Sequence, residues 1–442
     1  IYASSDKLFA SEYGNYQNNK IHHNNLYADA LLSINKSFFD DKFSLSFNLG
    51  ASILDDKNDG EGFEGHLATI ANKFSVYNVD MSHSQTKPYA DRYHDQTQAV
   101  YATAQLGYNG MVYLDVTARS EWASQLAFTP HMNIFYPSVG LSAVISSMAD
   151  LSKAGISFLK VRASYAEVGN APQRFITGVN TPLQTGGIVS SDSYAPAVNL
   201  TPERTKSFEV GLTMRFLKHF NLDFTYYNSH TSNQTFDPQI SGGTGFSKII
   251  IQSGNVRNQG IELALGYRNT WRDFTWDTNY TLSTNQNKII SLANNVINYA
   301  TGERFSIDRL NMGGLGDAQF LLQEGGTLGD LYSRRDLRYD ENNAIYIDEN
   351  GNVATETIQD VNKYVKLGSV LPDVNMSWRN DFRWKNLNFG FMISARLGGI
   401  VYSRTQAMLD YYGVSEATAA ARDAGGVMIN GNDLVDANKW YT

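Results

Sequence analysis

Apolar side chains alternate with polar or small ones along most of this chain. In residues 43–50, Phe43, Leu45, Phe47 and Leu49 alternate with Ser, Ser, Asn and Gly. Successive side chains of a strand point to opposite faces, so this period predicts about 12 β-strands, each with one apolar and one polar face. Strong alternation occurs at 43–50, 112–119, 138–145, 159–165, 207–216, 220–227, 261–267, 274–282 and 387–397, and weaker alternation near 26–38, 97–108 and 374–384. No convincing helical stripe exceeds three turns, although the Ala-rich segment 405–425 is compatible with a short helix.

The connections between these segments alternate in length. Short turns fall near 39–42, 108–110, 217–219, 271–273 and 384–386, and a somewhat longer connection lies near 147–157. Long polar stretches occupy 51–96, 120–136, 166–205, 228–257 and 287–372. A soluble sandwich has short loops at both ends, whereas an outer-membrane barrel has short periplasmic turns and long extracellular loops. The rhythm therefore predicts an all-β fold, a transmembrane antiparallel up-and-down β-barrel with long extracellular loops.

Charged and aromatic side chains support the same interpretation. Charged residues lie on the polar faces of the segments, where a water-filled lumen would receive them: Asp115, Arg119, Lys160, Arg162, Glu209, Arg215, Asp223, Glu262 and Arg396. Facing lipid, each Lys or Arg would cost about 2–4 kcal/mol at the midplane. Aromatic residues collect beside the short turns, as an interfacial belt requires: Phe38, Phe43, Tyr108, Phe216, Phe220, Tyr267, Phe274, Phe382 and Trp384.

Composition excludes several classes of protein. Lys and Arg number 36 against 44 Asp and Glu, a net charge of −8, which argues against nucleic acid as the main partner. The absence of cysteine from the sequence excludes disulfide scaffolds and thiolate metal sites. No run of 18 apolar residues predicts a transmembrane helix. The chain begins at Ile1 without a signal segment, so we expect it to be processed, truncated or only partly represented.

Several segments, taken in order, resemble the barrel of the SusC/RagA-type TonB-dependent transporters. The match covers most of the chain from about residue 95 onward. It is carried by residues 135–139 (FYPSV), 159–170 (LKVRASYAEVGN), 200–211 (LTPERTKSFEVG), 222–227 (LDFTYY), 254–263 (GNVRNQGIEL), 324–332 (EGGTLGDLY), 366–373 (KLGSVLPD), 396–399 (RLGG) and 421–426 (ARDAGG).

The resemblance implies a barrel of 22 strands, of which about 12 would lie here. Residues 1–442 would then be part of a single TonB-dependent receptor β-barrel domain, with the plug domain and the C-terminal closing strands absent from this chain. The resemblance further implies the bacterial outer membrane as location and TonB, acting through the missing plug region, as energy source. A SusD-like surface lipoprotein would form a lid, in a dimer of transporter–lid pairs. The expected activity is import of oligosaccharides or oligopeptides, without bond chemistry or cofactor.

Sequence motifs for metal binding, calcium binding or phosphate binding are weak in this chain. The eight histidines show no metal-ligand spacing. Asp340 and Asp348 begin oxygen-rich segments that could supply calcium ligands, but two turns flanking a short strand at 344–347, with a hairpin turn at 350–351, are the better interpretation. The glycine runs 242–245 and 313–316 lack the strand–loop–helix context of a phosphate site.

Two alternatives to active import stay open. A passive porin or self-contained 12-stranded barrel would need neither lid nor TonB. An outer-membrane enzyme of the phospholipase kind would need a Ser/His pair on the outer surface; Ser138 and His131 are the nearest candidates, and Ser138 lies on the polar face. No catalytic or metal residue is assigned.

Substrate-binding residues are left unassigned, although aromatic rings in the long stretches are suggestive. Such rings stack on sugars or hold peptide side chains, but they also pack loops together. They are Tyr194, Phe236, Phe246, Tyr299, Phe305, Phe320, Tyr332, Tyr339, Tyr364, Tyr402, Tyr411 and Tyr412.

Overall fold

The computed structural model describes residues 12–177, 200–237, 248–297 and 302–441, together with the backbone of three two-residue strands between 183 and 195. In these residues one antiparallel sheet follows the order of the chain through twelve strands, each paired with the next. They are β1 Asn15–Phe38, β2 Phe43–His66, β3 Lys87–Tyr108, β4 Val112–Ala123, β5 Asn133–Val144, β6 Ile156–Asn170, β7 Glu203–Phe216, β8 Phe220–Phe236, β9 Ile251–Trp271, β10 Phe274–Thr284, β11 Val374–Trp384 and β12 Leu387–Leu397. The predicted number of strands and their up-and-down order are confirmed.

The remaining elements belong to the connections. A thirteenth strand of the sheet, Gln286–Ser291, pairs with β9 beyond the end of β10. The α-helices are α1 Ile145–Met148, α2 Arg404–Tyr411, α3 Glu416–Asp423 and α4 Ala437–Tyr441, and 3-10 turns occupy Val76–Asn78, Ser124–Leu126, Ser152–Ala154 and Val361–Lys363. The short strands are Leu183–Gln184, Ile188–Val189, Tyr194–Ala195, Lys248–Ile249, Ala293–Ile297, Arg304–Ile307, Arg309–Leu315, Ala318–Gln323, Asp330–Ser333, Arg335–Leu337, Thr355–Thr357, Val365–Ser369, Val427–Ile429 and Asp433–Val435. Helices α2 and α3 confirm the helical potential of 405–425.

Every second connection is a tight turn of two to four residues, except 145–155, whose eleven residues make it longer than the nine-residue connection 124–132 at the other end. Six hairpins turn at 39–42, 109–111, 145–155, 217–219, 272–273 and 385–386, all at one end of the sheet. In the turn between β3 and β4, Asn109 and Gly110 have φ values of 49° and 64°, the left-handed pair that matches the twist of a tight hairpin. The short-turn end and the long-loop end are therefore distinct, as the sequence predicts.

The apolar face of the sheet is exposed. Leu49 is 44% exposed, Val100 47%, Leu141 54% and Phe208 47%, values typical of a surface that contacts lipid. On β2 this face is apolar from Phe43 to Ile53 and becomes charged at Asp55. About 11 residues at about 3.3 Å each, tilted by about 45°, span about 25 Å, the height of the apolar band of an outer-membrane barrel. No helix in the part of the chain that the structure describes is long and apolar enough to cross a membrane.

The strands β1, β2 and β3 continue far above this band, which corrects one prediction. The stretch 51–96 was expected to be a loop, but β2 runs to His66 and β3 begins at Lys87. The stretch 228–257 is likewise shortened by β8 and β9, which extend to Phe236 and back to Ile251, and the stretch 120–136 is reduced to 124–132 between β4 and β5. Above the membrane both faces of a strand meet water, so the alternation that identifies the lower strands is lost.

Candidate functional site: the polar wall and the long-loop layer

The polar face of the sheet carries an ion-paired cluster across three strands. The guanidinium of Arg162 on β6 donates to both carboxylate oxygens of Asp223 on β8, at 3.0 and 3.3 Å, and to the Thr225 hydroxyl at 2.6 Å. Thr213 on the intervening β7 donates to Asp223 at 2.7 Å. Gly211 lies directly between Arg162 and Thr225 in the strand register. A side chain there would come within 2.6 Å of the guanidinium, so glycine permits the Arg162 side chain to cross β7.

A second glycine permits a crossing of the same kind. Tyr101 on β3 passes over Gly50 on β2, where an added Cβ would overlap the ring. The Tyr101 hydroxyl donates to Asp29 on β1 at 2.7 Å. The Arg119 guanidinium carbon lies 5.8 Å from the Tyr101 ring centroid. The polar wall thus links strands that are not hydrogen-bonded neighbours.

The long-loop layer begins where asparagines join the connection after β10 to the barrel strands. The Asn258 side-chain oxygen on β9 accepts from Asn285 at 3.1 Å and from Asn287 at 2.9 Å. Asn287 in turn accepts from the backbone N–H of Leu328 at 2.8 Å. A buried apolar cluster that includes Phe236, Ile289 and Leu322 packs beneath this junction. The connection is therefore a packed structure fixed to the barrel rather than an open loop.

Two segments of the family resemblance meet in a four-stranded sheet, the loop sheet, made of Arg309–Leu315, Ala318–Gln323, Asp330–Ser333 and Val365–Ser369. Asp330 is 1% exposed. Its carboxylate accepts from Lys366 at 2.6 Å and from the Thr327 hydroxyl at 2.7 Å. A buried carboxylate requires such partners, so this contact fixes the 324–332 segment to the 366–373 segment.

Between those two segments, residues 334–358 form a hairpin, the arm. The strands Arg335–Leu337 and Thr355–Thr357 pair at its base. The carboxylates of Asp340 and Asp348 each accept two backbone N–H groups of their own turns at 2.8–2.9 Å. Backbone and side-chain hydrogen bonds from Asn352 hold the pKa of Asp348 below its usual value. The two predicted turns are therefore present, and each uses one carboxylate oxygen of its aspartate for backbone N–H groups. Between them the predicted strand at 344–347 is reduced to isolated bridges at Ile345 and Ile347.

The arm rests against the segment that follows β12. Asn430 accepts from the Ile345 backbone N–H at 2.8 Å and donates to its carbonyl oxygen at 2.9 Å. Lys439 donates to the Asn350 carbonyl oxygen. Helices α2, α3 and α4 lie in this same segment, and Ser415 caps α3 through a reciprocal bond with Thr418. The arm and the helices together form one rim of the long-loop layer.

The candidate binding aromatics divide into packed and exposed rings. Phe236 and Tyr332 are buried, and Phe305, Phe320 and Tyr364 are partly buried. The exposed rings are Tyr339 on the arm, Tyr402, and the adjacent Tyr411 and Tyr412, whose centroids are 5.2 Å apart in an edge-to-face arrangement. The side chains of Tyr194, Phe246 and Tyr299, and the glycine run 242–245, lie outside the described residues.

The candidate catalytic and metal-binding residues do not lie together in one site. The Ser138 hydroxyl shares a hydrogen bond with Thr117 at 2.7 Å. His131 lies on the loop before β5. The histidines His23 and His94 each contact a single carboxylate, Asp56 or Asp55, at 2.5 and 2.8 Å. Across the described ranges, no three His, Asp or Glu side chains are grouped for a metal.

Comparison with known proteins identifies the barrel. The family model for the TonB-dependent receptor-like β-barrel matches residues 2–420. The chain belongs to this family. TonB-dependent receptor P3 of Formosa agariphila is 25% identical over 412 residues, covering 86% of this chain and 39% of that protein. The TonB-dependent receptor SusC of Bacteroides thetaiotaomicron is 28% identical over 212 residues, 46% of this chain and 20% of that one.

Solved structures agree at the level of the fold. The RagAB peptide transporter superimposes with a TM-score of 0.67 at 16% identity, covering 86% of this chain and 41% of that chain. The chain thus spans about two fifths of the length of its first relatives. The SusC/RagA-type resemblance and the outer-membrane location are confirmed. The polar face lines the lumen, and the short turns are periplasmic.

Sequence reasoning missed the contacts that organise this site. Arg162 and Asp223 were both placed on polar faces, but their pairing across β7 was not foreseen. A glycine facing an arginine in the register, as Gly211 faces Arg162, is the signal that predicts such a crossing. The pairing of Asp330 with Lys366 joins residues 36 apart, and nothing local in the sequence indicates it.

Proposed function

We propose that this chain forms part of a TonB-energised outer-membrane importer of oligosaccharides or oligopeptides that works with a SusD-like lid lipoprotein. The observation that carries the proposal is the packed long-loop layer on a wall whose polar face is lined with ion pairs. A passive pore has no need of a loop sheet, an arm and a helical rim fixed above its lumen. A binding layer of this kind suits a transporter that captures a ligand before admitting it.

The sheet supports a longer barrel. Among the described residues, β1 and β12 are each paired on one side only. Unpaired backbone groups in lipid cost several kcal/mol each. We therefore propose that further strands of the same polypeptide pair with β1 and β12 to close a single barrel domain, and that a plug transmits the pull of TonB. Two transporter–lid pairs would form the dimer.

The exposed tyrosines of the rim are the candidate ligand contacts. Tyr411 and Tyr412 present adjacent rings, and Tyr339 projects from the neighbouring arm. Rings so placed stack on sugars or hold apolar peptide side chains. The substrate class is therefore oligosaccharide or oligopeptide, and the test below separates the two.

The experiment measures uptake and binding by the full-length transporter in its native host. Labelled oligosaccharide and oligopeptide mixtures are offered to the wild type, to a strain lacking TonB and to a strain lacking the lid lipoprotein. We expect uptake of one class only, and its loss in both deletion strains. Uptake that persists without TonB would establish a passive pore instead.

Single-residue variants then locate the binding surface. Tyr411→Ala and Tyr412→Ala should each weaken ligand binding by about 5- to 10-fold, the effect of one lost ring contact. Tyr77→Ala is the matched control, because Tyr77 is a fully exposed tyrosine in the connection between β2 and β3. Equal effects of all three substitutions would refute a specific role for the rim.

A further inference from the structure

A cleft opens on the apolar, lipid-facing side of the barrel near its periplasmic end. It has a volume of about 490 Å³ and lies across β8 to β11. Its walls include Phe220, Tyr267, Trp276, Tyr280 and Trp378. The rings pack on one another: Phe220 and Tyr267 have centroids 4.8 Å apart, and Tyr267 and Trp276 5.3 Å apart. The cleft is thus a shaped apolar surface with fixed walls.

The walls of the cleft are held by internal hydrogen bonds. Trp378 donates its indole N–H to the Thr278 hydroxyl at 2.9 Å. Trp276 donates to the Asn380 side-chain oxygen at 3.0 Å, and Asn380 is 1% exposed behind it. Preorganised walls lose little conformational entropy when they bind a ligand. A flexible hydrocarbon chain in the surrounding bilayer can therefore occupy the cleft without rearranging the protein.

Basic residues lie directly below the cleft. Each of the three turns that join β7–β8, β9–β10 and β11–β12 carries one exposed cation: Lys218, Arg272 and Lys385. The β9–β10 turn also carries one exposed carboxylate, Asp273, so the cations remain in excess. None of the three forms an ion pair with another residue of the described ranges. Phe220 is two residues from Lys218 and Trp276 is four residues from Arg272, so these two cations lie within about 10–14 Å of the lower walls. This is the depth at which lipid headgroups meet a barrel.

We propose that the cleft binds one anionic phospholipid of the periplasmic leaflet. An acyl chain would lie against Tyr267, Trp276 and Trp378, and the phosphate would lie among the cations of the three turns, within reach of one or two of them because successive turns are about 10 Å apart. Each Lys or Arg near a membrane surface adds to the attraction for an anionic headgroup. The charge at the mouth of the cleft therefore favours an anionic phospholipid over a zwitterionic one, and over an apolar protein surface.

The test is native mass spectrometry of the full-length transporter, freed of lipid in detergent and titrated with phosphatidylglycerol or phosphatidylethanolamine. The wild type should retain one phosphatidylglycerol at concentrations where phosphatidylethanolamine is lost. The combined variant Lys218→Gln, Arg272→Gln, Lys385→Gln should bind phosphatidylglycerol at least about tenfold more weakly. The control variant Lys42→Gln, Lys153→Gln removes cations from two other connections at the same end and should bind as the wild type does.

A second variant tests the cleft itself. Leu265 lines the cleft and is partly exposed to lipid, so Leu265→Trp places an indole in the cleft and narrows it while leaving the turn cations in place. This variant should lose the retained phosphatidylglycerol and keep the heat-modifiable gel migration of a folded barrel. Equal retention of the two lipids, or undiminished retention of phosphatidylglycerol by either the combined variant or the narrowed variant, would overturn the proposal. A change in oligomer mass rather than in bound lipid would assign the cleft to a second copy of the barrel, which also overturns it.

Discussion

Gly211 is the position at which a single methyl group should break the ion-paired cluster of the barrel wall. In Gly211→Ala the new Cβ would lie 2.6 Å from both Cζ and Nε of Arg162. The guanidinium must then move and release Asp223 and Thr225. Charge-assisted hydrogen bonds contribute about 1.5–3 kcal/mol each, but Arg162 and Asp223 are 37% and 46% exposed, so water screens much of this. We expect a loss of about 2 kcal/mol.

Part of that loss is offset by the backbone, because alanine restricts the unfolded chain more than glycine by about 0.5 kcal/mol. The net destabilisation is therefore about 1.5 kcal/mol. Gly140→Ala is the matched control on the same face of β5. Its Cβ would meet Asp115 and Ser164 at 3.6 and 3.9 Å, ordinary contact distances. That substitution should be neutral or slightly stabilising.

The assay is denaturant unfolding of the full-length transporter, with Gly211→Ala measured alone and in an Arg162→Ala background. If displacement of the guanidinium is the cause, the alanine at 211 should cost nothing once Arg162 is removed. The cycle should then yield a coupling free energy of about 2 kcal/mol. Equal destabilisation in both backgrounds, or equal effects of Gly211→Ala and Gly140→Ala, would refute the reasoning.

Three further predictions concern the loop layer and the lipid-facing surface. Lys366→Met leaves the buried carboxylate of Asp330 without its cation and should destabilise the loop sheet by about 2–3 kcal/mol. Amide hydrogen exchange should then be faster in the strands of the loop sheet and unchanged in the barrel strands. The pKa of Asp348 is lower in the folded arm than its usual value of 3.8. The ionised Asp348 therefore stabilises the arm fully above pH 3.8, and this stabilisation is lost as the pH falls through the lower pKa of the folded state. Spin-label distances between the arm and α3 should stay constant down to about pH 4 and broaden below it. Asn380→Leu leaves the Trp276 indole N–H unpaired but also removes the Asn380 amide nitrogen, which is buried without a partner among the described residues, so the net destabilisation of the barrel should be below about 1 kcal/mol; Asn380→Leu combined with Trp276→Phe removes both unpaired donors and should be at least as stable as the wild type in the same denaturant assay.

Each of these predictions has its own contrary result. Unchanged exchange in the loop sheet of Lys366→Met would show that Thr327 alone satisfies Asp330. Broadening that begins above pH 5 would assign the acid response of the arm to another group than Asp348. A double variant less stable than Asn380→Leu would show that ring packing, not the hydrogen bond, is the main contribution of Trp276.

The strands within the membrane could be predicted because their two faces meet different solvents. Leu45 faces lipid and Ser46 faces the lumen, so selection for two environments appears as a two-residue period. Above the membrane this contrast vanishes: Asp55 and Asp56 lie on opposite faces of β2, and both are charged. There the strand is maintained by backbone pairing, such as Asp55 with Gln96, and by polar side-chain contacts between strands, such as His94 with Asp55, which leave no two-residue period. Sequence patterning therefore identifies the spanning segment and underestimates the length of the strand.

The loop layer could not be predicted for a different physical reason. Its fixed points are single polar contacts between distant residues, such as Asn287 with Asn258 and Lys366 with Asp330. Each of these side chains, taken alone, is as ordinary in a solvated loop as in a buried junction. The turns at Asp340 and Asp348 were predictable because their hydrogen bonds are local, within four residues. Local chemistry can be inferred from the sequence, and the docking of one loop on another cannot.

Many charged side chains of the polar wall are paired with one another, whereas the aromatic rings of the rim are exposed. On the polar face, Arg162 is paired with Asp223, and Arg379 with Asp381 at 2.7 Å, so much of the wall's charge is neutralised by its own neighbours. On the rim, Tyr411 and Tyr412 remain exposed. A ligand gains little from a group whose partner is already in place, because the existing contact must first be broken. It gains most from surfaces that are fixed and open. The rim should therefore determine which ligands the proposed importer binds, while the paired wall provides a polar path with few strong binding sites.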